Sequence, residues 1–421
     1  MLKRMVKNKV LQLISGTALA QIISIIFLPI IARIFSPADI GNYSFLTSVT
    51  LLLVPIVTLS LPSALVKAPR HQVEGVYTIC IIFAIFSSTL ITLFAQVFVF
   101  FYQPDLPSYF TVVLGLSILS YSFFQLNYFL KIRNQEFKKI AFFSVVNSGI
   151  HNALKVTLGL ISSTFYSLSV SSIVSYFYHA YSLKPQKKVI NLYRYIVGRQ
   201  ALIRFKLIVK RQSDFIYYRT PEVTISTLSQ SIPIFILAIY FSAESAGYYA
   251  FSKILLSAPL TLIGKAFFDA FYPTYVNLRK NDFDLFIITF KRHTLFLAVL
   301  GIVFASSFWI MKDDIFSILF GKEWIPAANY AGWISIWMAS SILIKPSSVS
   351  VLACNLQKLN LYYSFFSVSI KLIVVFASIK LDYTALDFLK AFVASSVFIN
   401  LAFVLIILSK ARSQNDQQRV I

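Results

Sequence analysis

Apolar runs of about twenty residues follow one another along nearly the whole chain, and nothing else in the sequence constrains its fold as much. A run of that length crosses a ~30 Å hydrocarbon layer as an α-helix. In lipid every backbone N–H and C=O must be satisfied within the protein, which leaves helices or closed barrels. Reading such runs gives about twelve spans, at 10–34, 39–66, 76–102, 109–130, 140–160, 163–183, 217–241, 246–275, 290–311, 326–350, 360–380 and 386–409. Only 13% of the residues are charged and the mean hydropathy is +0.74, whereas soluble domains carry roughly 25% charged residues. The expectation is an all-α polytopic membrane protein.

A secretory signal is the competing reading of the first twenty residues, because Lys3, Arg4, Lys7 and Lys9 precede an Ala18-Leu19-Ala20 cleavage-like site. The apolar core before that site, Val10 to Ile14, falls short of the ~7–15 residues a signal needs. The apolar run also continues to Ile34, so the segment reads as the first span.

The net charge of +22 would suit nucleic acid, but the placement of the cations argues for topology instead. With the N-terminus in the cytoplasm, inner segments carry 28 Lys and Arg, while the outer loops carry only Lys312, Lys322 and Lys380. This is the positive-inside pattern. It places both termini in the cytoplasm and makes membrane lipid, not nucleic acid, the expected partner. Cys80 and Cys354 lie in apolar segments without CxxC spacing, and His71, His151, His179 and His293 form no ligand pair. No metal and no disulfide framework are expected.

The stretch "ARIFSPADIGNYSF" (32–45) returns in worn form as "AIYFSAESAGYYAF" (238–251). An offset of 206 aligns Phe35 with Phe241, Ser36 with Ser242, Gly41 with Gly247, Tyr43 with Tyr249 and Phe45 with Phe251. Each copy falls in the outer turn between the first two spans of a six-span half, and "FFSV" at 142–145 and 365–368 is a weaker echo. Both halves enter the membrane from the same side, which is a parallel repeat of the kind found in transporters. The expected organisation is an N-terminal six-helix lobe over 1–183 and a basic amphipathic linker over 184–216. A C-terminal six-helix lobe over 217–409 and a tail over 410–421 complete it, with a central cavity between the lobes. The linker mixes cations with Val, Ile, Leu and Tyr and suits anionic headgroups.

Seven cations remain within or at the mouths of spans: Arg33, Lys155, Lys253, Lys265, Lys345, Lys371 and Lys390. A charge at mid-bilayer costs about 2.5–3.5 kcal/mol on insertion scales, so these side chains should face a wet cavity or a partner. Only Asp269 is clearly inside a span, with Asp39 and Glu222 at edges. The excess of cations predicts an electropositive cavity and an anionic substrate. Lys265 and Asp269 stand four apart and can pair, which leaves Lys253 as the better anion contact. Asp269 and Asp39 are candidates for coupling or for ion pairing. Arg33 offers either a bidentate fork to phosphate or an interfacial position. Lys345 and Lys371 either touch substrate or support the second lobe. On the fifth span Ser144, Asn147, Ser148, His151, Asn152 and Lys155 form one helical stripe, which suits sugars or, alternatively, a helix–helix seam. Pro29, Pro55, Pro62, Pro233, Pro259 and Pro346 interrupt spans and mark candidates for bending.

The run "SGTALAQIISIIFLPIIARIFSPADIGNYSF" resembles the opening of bacterial polysaccharide flippases of the O-antigen (Wzx) type, in the multidrug/oligosaccharidyl-lipid/polysaccharide exporter superfamily. The run from Leu228 to Tyr275 and "LFGKEWIPAANYAGW" (319–333) resemble the same family. The resemblance implies twelve helices in two lobes around a cationic cavity. It also implies alternating-access transfer of an undecaprenyl-diphosphate-linked oligosaccharide, an O-antigen or capsule unit, across the bacterial inner membrane. Polysaccharide polymerase and chain-length machinery are the implied partners. Arg33, Pro37, Asp39 and Gly41 match the family's first-turn pattern, whereas Ala243 replaces its proline in the second copy. No cofactor is expected, and H+ or Na+ coupling stays open. A membrane-embedded glycan polymerase or ligase would need carboxylates on a sizeable outer loop, and the longest, 312–325, offers Asp313, Asp314 and Glu323. An ion-coupled antiporter would need intramembrane acids.

Overall fold

The computed structural model describes residues 2–102, 109–185, 206–213, 215–354 and 356–420. It describes their side chains except those of 2–14, 102, 258, 265, 266, 269, 357, 358, 360, 361 and 414–420. Every regular element among them is helical. Following the chain, these are α1 (Leu2–Ile34), α2 (Pro37–Val57), the single turn α3 (Leu61–Ala64), α4 (Val73–Tyr102), α5 (Tyr109–Arg133), α6 (Phe137–Ile161) and α7 (Phe165–Ser182). Then come α8 (Thr220–Ile236), α9 (Ala243–Asn281), α10 (Phe283–Ile315), α11 (Ile325–Leu343), α12 (Lys345–Ala353), α13 (Gln357–Lys380) and α14 (Ala385–Val420).

The long helices follow the twelve apolar runs. Among the described residues, nine are long and apolar enough to cross a membrane by length and composition alone. Two long helices outside that set, α6 and α7, carry the polar stripe and a serine-rich face. Their polarity marks them as helices whose polar groups must meet protein or a wet recess rather than lipid.

Several expected spans are cut differently. The run 39–66 breaks after Val57, where Leu59 and Ser60 adopt positive φ (51° and 49°) before α3. The run 326–350 breaks at Ile344, and Lys345 with Pro346 opens α12. Proline is harmless in a first turn, because its missing N–H would have had no intrahelical partner. Pro29, Pro55, Pro233 and Pro259 do not interrupt their helices, which continue through them.

The chain divides into two compact units, one of Met1–Phe35 with Asn42–Leu228, the other of Ser36–Gly41 with Ser229–Ile421. In the first unit α1 and α6 pack closely. A Cβ on Gly16 would meet the Ala141 Cβ at 2.5 Å, and one on Gly159 would meet the Phe35 ring at 2.6 Å. Small residues let membrane helices approach in this way. Polar bonds tie α4, α5 and α7 together: the Tyr77 hydroxyl donates to Asn127 Oδ1 (2.6 Å) and Asn127 Nδ2 donates to the Ala180 carbonyl (2.7 Å). At one end Leu61, Leu65, Val76, Tyr77, Cys80, Leu126 and Leu130 form a buried cluster. Ile208 joins this cluster and Gln212 Nε2 donates to Gln72 Oε1 (3.3 Å), so the described end of the expected linker seats on protein. Residues 186–205 of that linker lie outside the described residues.

In the second unit Trp324, Phe251, Phe316 and Phe320 form a buried aromatic knot, with ring centroids of Phe251 and Trp324 4.3 Å apart. Tyr363 donates to Asn400 Oδ1 (3.0 Å), and Asn400 Nδ2 donates to Ser340 Oγ (2.8 Å), linking α13, α14 and α11.

The first turn of α2 belongs to this second unit, and the repeated motif explains why. Ser36 caps α2: its hydroxyl accepts from Asp39 N–H (3.2 Å) and donates to Asp39 Oδ2 (2.5 Å). Ser242, its counterpart, caps α9 by accepting from Ser245 N–H (3.1 Å). Serine at this position satisfies a backbone donor that the helix cannot. The two capped turns then meet through Gly41 and Gly247. A Cβ on Gly41 would stand 1.8 Å from the Ala243 carbonyl oxygen, and one on Gly247 1.8 Å from the Pro37 carbonyl oxygen.

Candidate functional site

The intramembrane cations fall into two groups, one in each unit. In the second unit Lys253 lies on α9 and Lys371 on α13. Lys253 Nζ donates to the Gln230 carbonyl (3.3 Å) and stands over the Tyr249 and Trp337 rings at 5.6 and 5.9 Å. Lys371 is 7% exposed; its Nζ donates to Ser229 Oγ (3.0 Å) and stands 5.3 Å over the Phe392 ring. The two ammonium groups therefore anchor on adjacent residues of α8, Ser229 and Gln230. Neutral oxygens and aromatic faces soften their burial.

Lys345, at the start of α12, lays its aliphatic stem across Gly264 of α9, where a Cβ would meet Lys345 Cε at 2.7 Å. A side chain at position 264 would require the Lys345 stem to move aside. Among the described residues no salt bridge joins Lys155, Lys253, Lys345 or Lys371 to a carboxylate. Lys390 differs: it pairs with Asp387 at 2.8 Å. The side chains of Lys265 and Asp269, and with them the expected ion pair, lie outside the described residues.

In the first unit Lys155 of α6 stands 5.1 Å over the Tyr43 ring of α2. Tyr43 OH and Ser172 Oγ are 2.6 Å apart, and His151 Nε2 reaches the same Ser172 Oγ at 3.0 Å. Asn147 Oδ1 accepts from Ser175 of α7 (3.0 Å). The remainder of the stripe turns elsewhere. Ser148 Oγ donates to the Ala20 carbonyl of α1 (2.7 Å), and Asn152 Nδ2 donates to Ser24 Oγ (3.3 Å) and to the Ser148 carbonyl. The stripe read as one face is therefore two. Ser148 and Asn152 form the seam with α1, while Asn147, His151 and Lys155 meet α7 and α2. Arg33 is exposed in the last turn of α1, where a cation also complements the helix dipole. Asp39 is held by the Ser36 cap.

Sequence reading missed the aromatic partners. Tyr43 and Tyr249 were aligned by the repeat, and each carries a lysine over its ring, Lys155 and Lys253 respectively. A tyrosine retained in both copies, two residues past the shared glycine, was the available signal.

A family model described as polysaccharide biosynthesis protein matches residues 30–329. The chain belongs to that family. It is 23% identical over 321 residues to the succinoglycan biosynthesis transport protein ExoT of Rhizobium meliloti (strain 1021), an alignment covering 73% of this chain and 61% of that one. The chain thus spans about 61% of the length of this curated relative. A MATE crystal structure in complex with MaD3S superposes with a TM-score of 0.60 at 12% identity, covering 98% of this chain and 97% of that chain. The lipid II flippase MurJ in an inward closed conformation superposes with a TM-score of 0.56 at 14% identity, covering 96% and 87%. At these identities the likeness establishes the fold: a multi-pass, all-helical membrane protein with the MATE and MurJ architecture.

Proposed function

We propose that this family member is a flippase. It carries an undecaprenyl-diphosphate-linked oligosaccharide, an O-antigen or capsule repeat unit, across the bacterial inner membrane by alternating access, with both termini in the cytoplasm. The observation that carries the reading is the Lys253–Lys371 pair, two cations on neighbouring anchors that no carboxylate among the described side chains pairs with. Retaining such charges in membrane helices is costly, and an anionic headgroup is the partner that repays the cost. Lys253 and Lys371 receive the diphosphate. A relative named as a succinoglycan transport protein and a fold shared with a lipid II flippase support the assignment. The lipid tail stays in the bilayer while charge and sugars cross inside protein, avoiding the penalty of taking them through hydrocarbon.

The test is reconstitution of the full chain in vesicles with fluorescent undecaprenyl-diphosphate-linked glycan, under imposed proton or sodium gradients. Transfer between leaflets that needs the protein is expected. Vesicles in which the glycan stays in its original leaflet under every gradient would refute the reading.

A further inference from the structure

The oxygens of Ser229 and Gln230 are only half of what holds Lys371 and Lys253; the other half is aromatic. Lys253 stands 5.9 Å over the Trp337 ring of α11, and Lys371 stands 5.3 Å over the Phe392 ring of α14. Trp337 and Phe392 themselves meet edge to face, with centroids 5.5 Å apart and planes at 89°. The contacts therefore close a circuit: Lys253, Trp337, Phe392, Lys371, Ser229, Gln230 and back to Lys253. No member of that circuit carries a negative charge.

The backbone beneath Trp337 is tied to the same helices. Its carbonyl accepts from Ser340 Oγ (2.7 Å) and from Ser341 Oγ (3.1 Å). Ser340 Oγ in turn accepts from Asn400 of α14, which accepts from Tyr363 of α13. Lys371 lies on α13 and Phe392 on α14. Hydrogen bonds thus fix Trp337 to the two elements that carry the second lysine and its ring.

A lysine ammonium is a point charge on a flexible stem, and two of them left free would repel and swing apart. A ring face holds an ammonium without neutralising it. Trp337 touches Lys253 directly and reaches Lys371 through Phe392, so one side chain constrains both charges. Each ammonium has three N–H donors and spends one on α8. The rest are available to an anion. A diphosphate carries oxygens on two phosphorus atoms and can engage both ammonium groups at once, whereas a monophosphate ester has oxygens on one.

We propose that Trp337 makes this site read two phosphates rather than one, by setting the spacing of Lys253 and Lys371 so that a single diphosphate spans both. Trp337 is a positioning residue that acts through Lys253 and Phe392. The inference rests on the flippase reading for the headgroup and adds the residue that selects it.

The experiment uses the full chain in detergent and native mass spectrometry, with undecaprenyl diphosphate and undecaprenyl monophosphate as probes. The readout is the ratio of the two affinities. Wild type is expected to favour the diphosphate by about tenfold, the worth of a second charge-assisted contact. Trp337→Leu keeps both lysines, yet its ratio should fall to that of Lys371→Met, which keeps only one. Trp337→Phe, which restores a ring, should recover most of the wild-type ratio. A merely structural role would weaken both lipids equally and leave the ratio where it was. Should the leucine variant not fold, Trp337→Met also removes the ring and is read the same way. A wild-type ratio in the ringless variant, or a phenylalanine variant no better than it, overturns the proposal. Diphosphate binding that survives in both Lys253→Met and Lys371→Met overturns the headgroup reading instead. Binding lost in both, with the ratio unmoved in Trp337→Leu, overturns the Trp337 assignment alone.

Discussion

Gly41 and Gly247 face each other's helix starts so closely that each stands where a side chain would strike the backbone beside the other. A Cβ on either would come within 1.8 Å of a carbonyl oxygen, that of Ala243 or of Pro37. Neither obstacle is a flexible side chain that could move aside. Gly41→Ala and Gly247→Ala should each force the two capped turns apart, at a cost of about 1–3 kcal/mol or more for overpacking. Gly149 on α6, with nothing within 4 Å of a built Cβ, is the control: Gly149→Ala should be neutral or stabilising by roughly 0.5–1 kcal/mol. Thermal unfolding of the purified variants in detergent checks both; equal melting temperatures for all three would refute the close-approach argument.

Lys371 offers a sharper contrast between stability and function. It is 7% exposed and its partners are a serine hydroxyl and a phenyl ring. No carboxylate among the described side chains pairs with it; an apolar side chain of similar length relieves the desolvation of such a charge, so Lys371→Met should raise the melting temperature. The same variant should lose most of the leaflet transfer. Higher stability with unchanged transfer would remove Lys371 from the substrate path.

Much of this was legible before any coordinates. Hydrophobic length alone locates helices, because lipid leaves the backbone no other way to satisfy its hydrogen bonds. The repeated turn was legible for a related reason: Ser36 and Ser242 cap helices, and Gly41 and Gly247 make room, so both copies keep those residues. The break at Ile344 was not legible, since Lys345 and Pro346 look alike whether they kink a span or start a new helix. The division of the α6 stripe was hidden too. Periodicity shows that Ser148 and His151 share a face, but not that α1 covers one flank and α7 the other. Tyr43 and Tyr249 were visible as repeat markers, yet their lysine partners come from different places, α6 in one unit and the next turn of α9 in the other.

That division makes a prediction of its own. Ser148→Ala and Asn152→Ala remove seam bonds to α1, so each should cost on the order of 0.6–1.7 kcal/mol, the range of interhelical hydrogen bonds in membranes. His151→Ala removes the bond to Ser172 of α7 and should cost a similar amount. Melting temperatures of the three variants in detergent check this; values equal to wild type in all three would show that these interhelical bonds add nothing.

Glu136 lies between α5 and α6, outside the spans, and holds two lysines at once. Its carboxylate accepts from Lys131 at 3.1 Å and from Lys139 at 2.7 Å, and the Lys131 side chain is only 3% exposed. Burial alone would push the Glu136 carboxyl up, but the hydrogen bonds from Lys139 and Lys131 outweigh it and hold the carboxyl below its usual range. A carboxyl lowered by folding adds stability above its unfolded pKa of ~4.3, and that stability is lost as pH falls through the lower folded value. Glu136→Gln should therefore destabilise the protein at neutral pH by about 1–3 kcal/mol, chiefly by stranding the Lys131 ammonium. The deficit against wild type should shrink as pH falls through that window, as wild type loses the same charge. Melting curves of both proteins between neutral and acid pH check this; a deficit that stays constant with pH would show that the Glu136 charge contributes nothing.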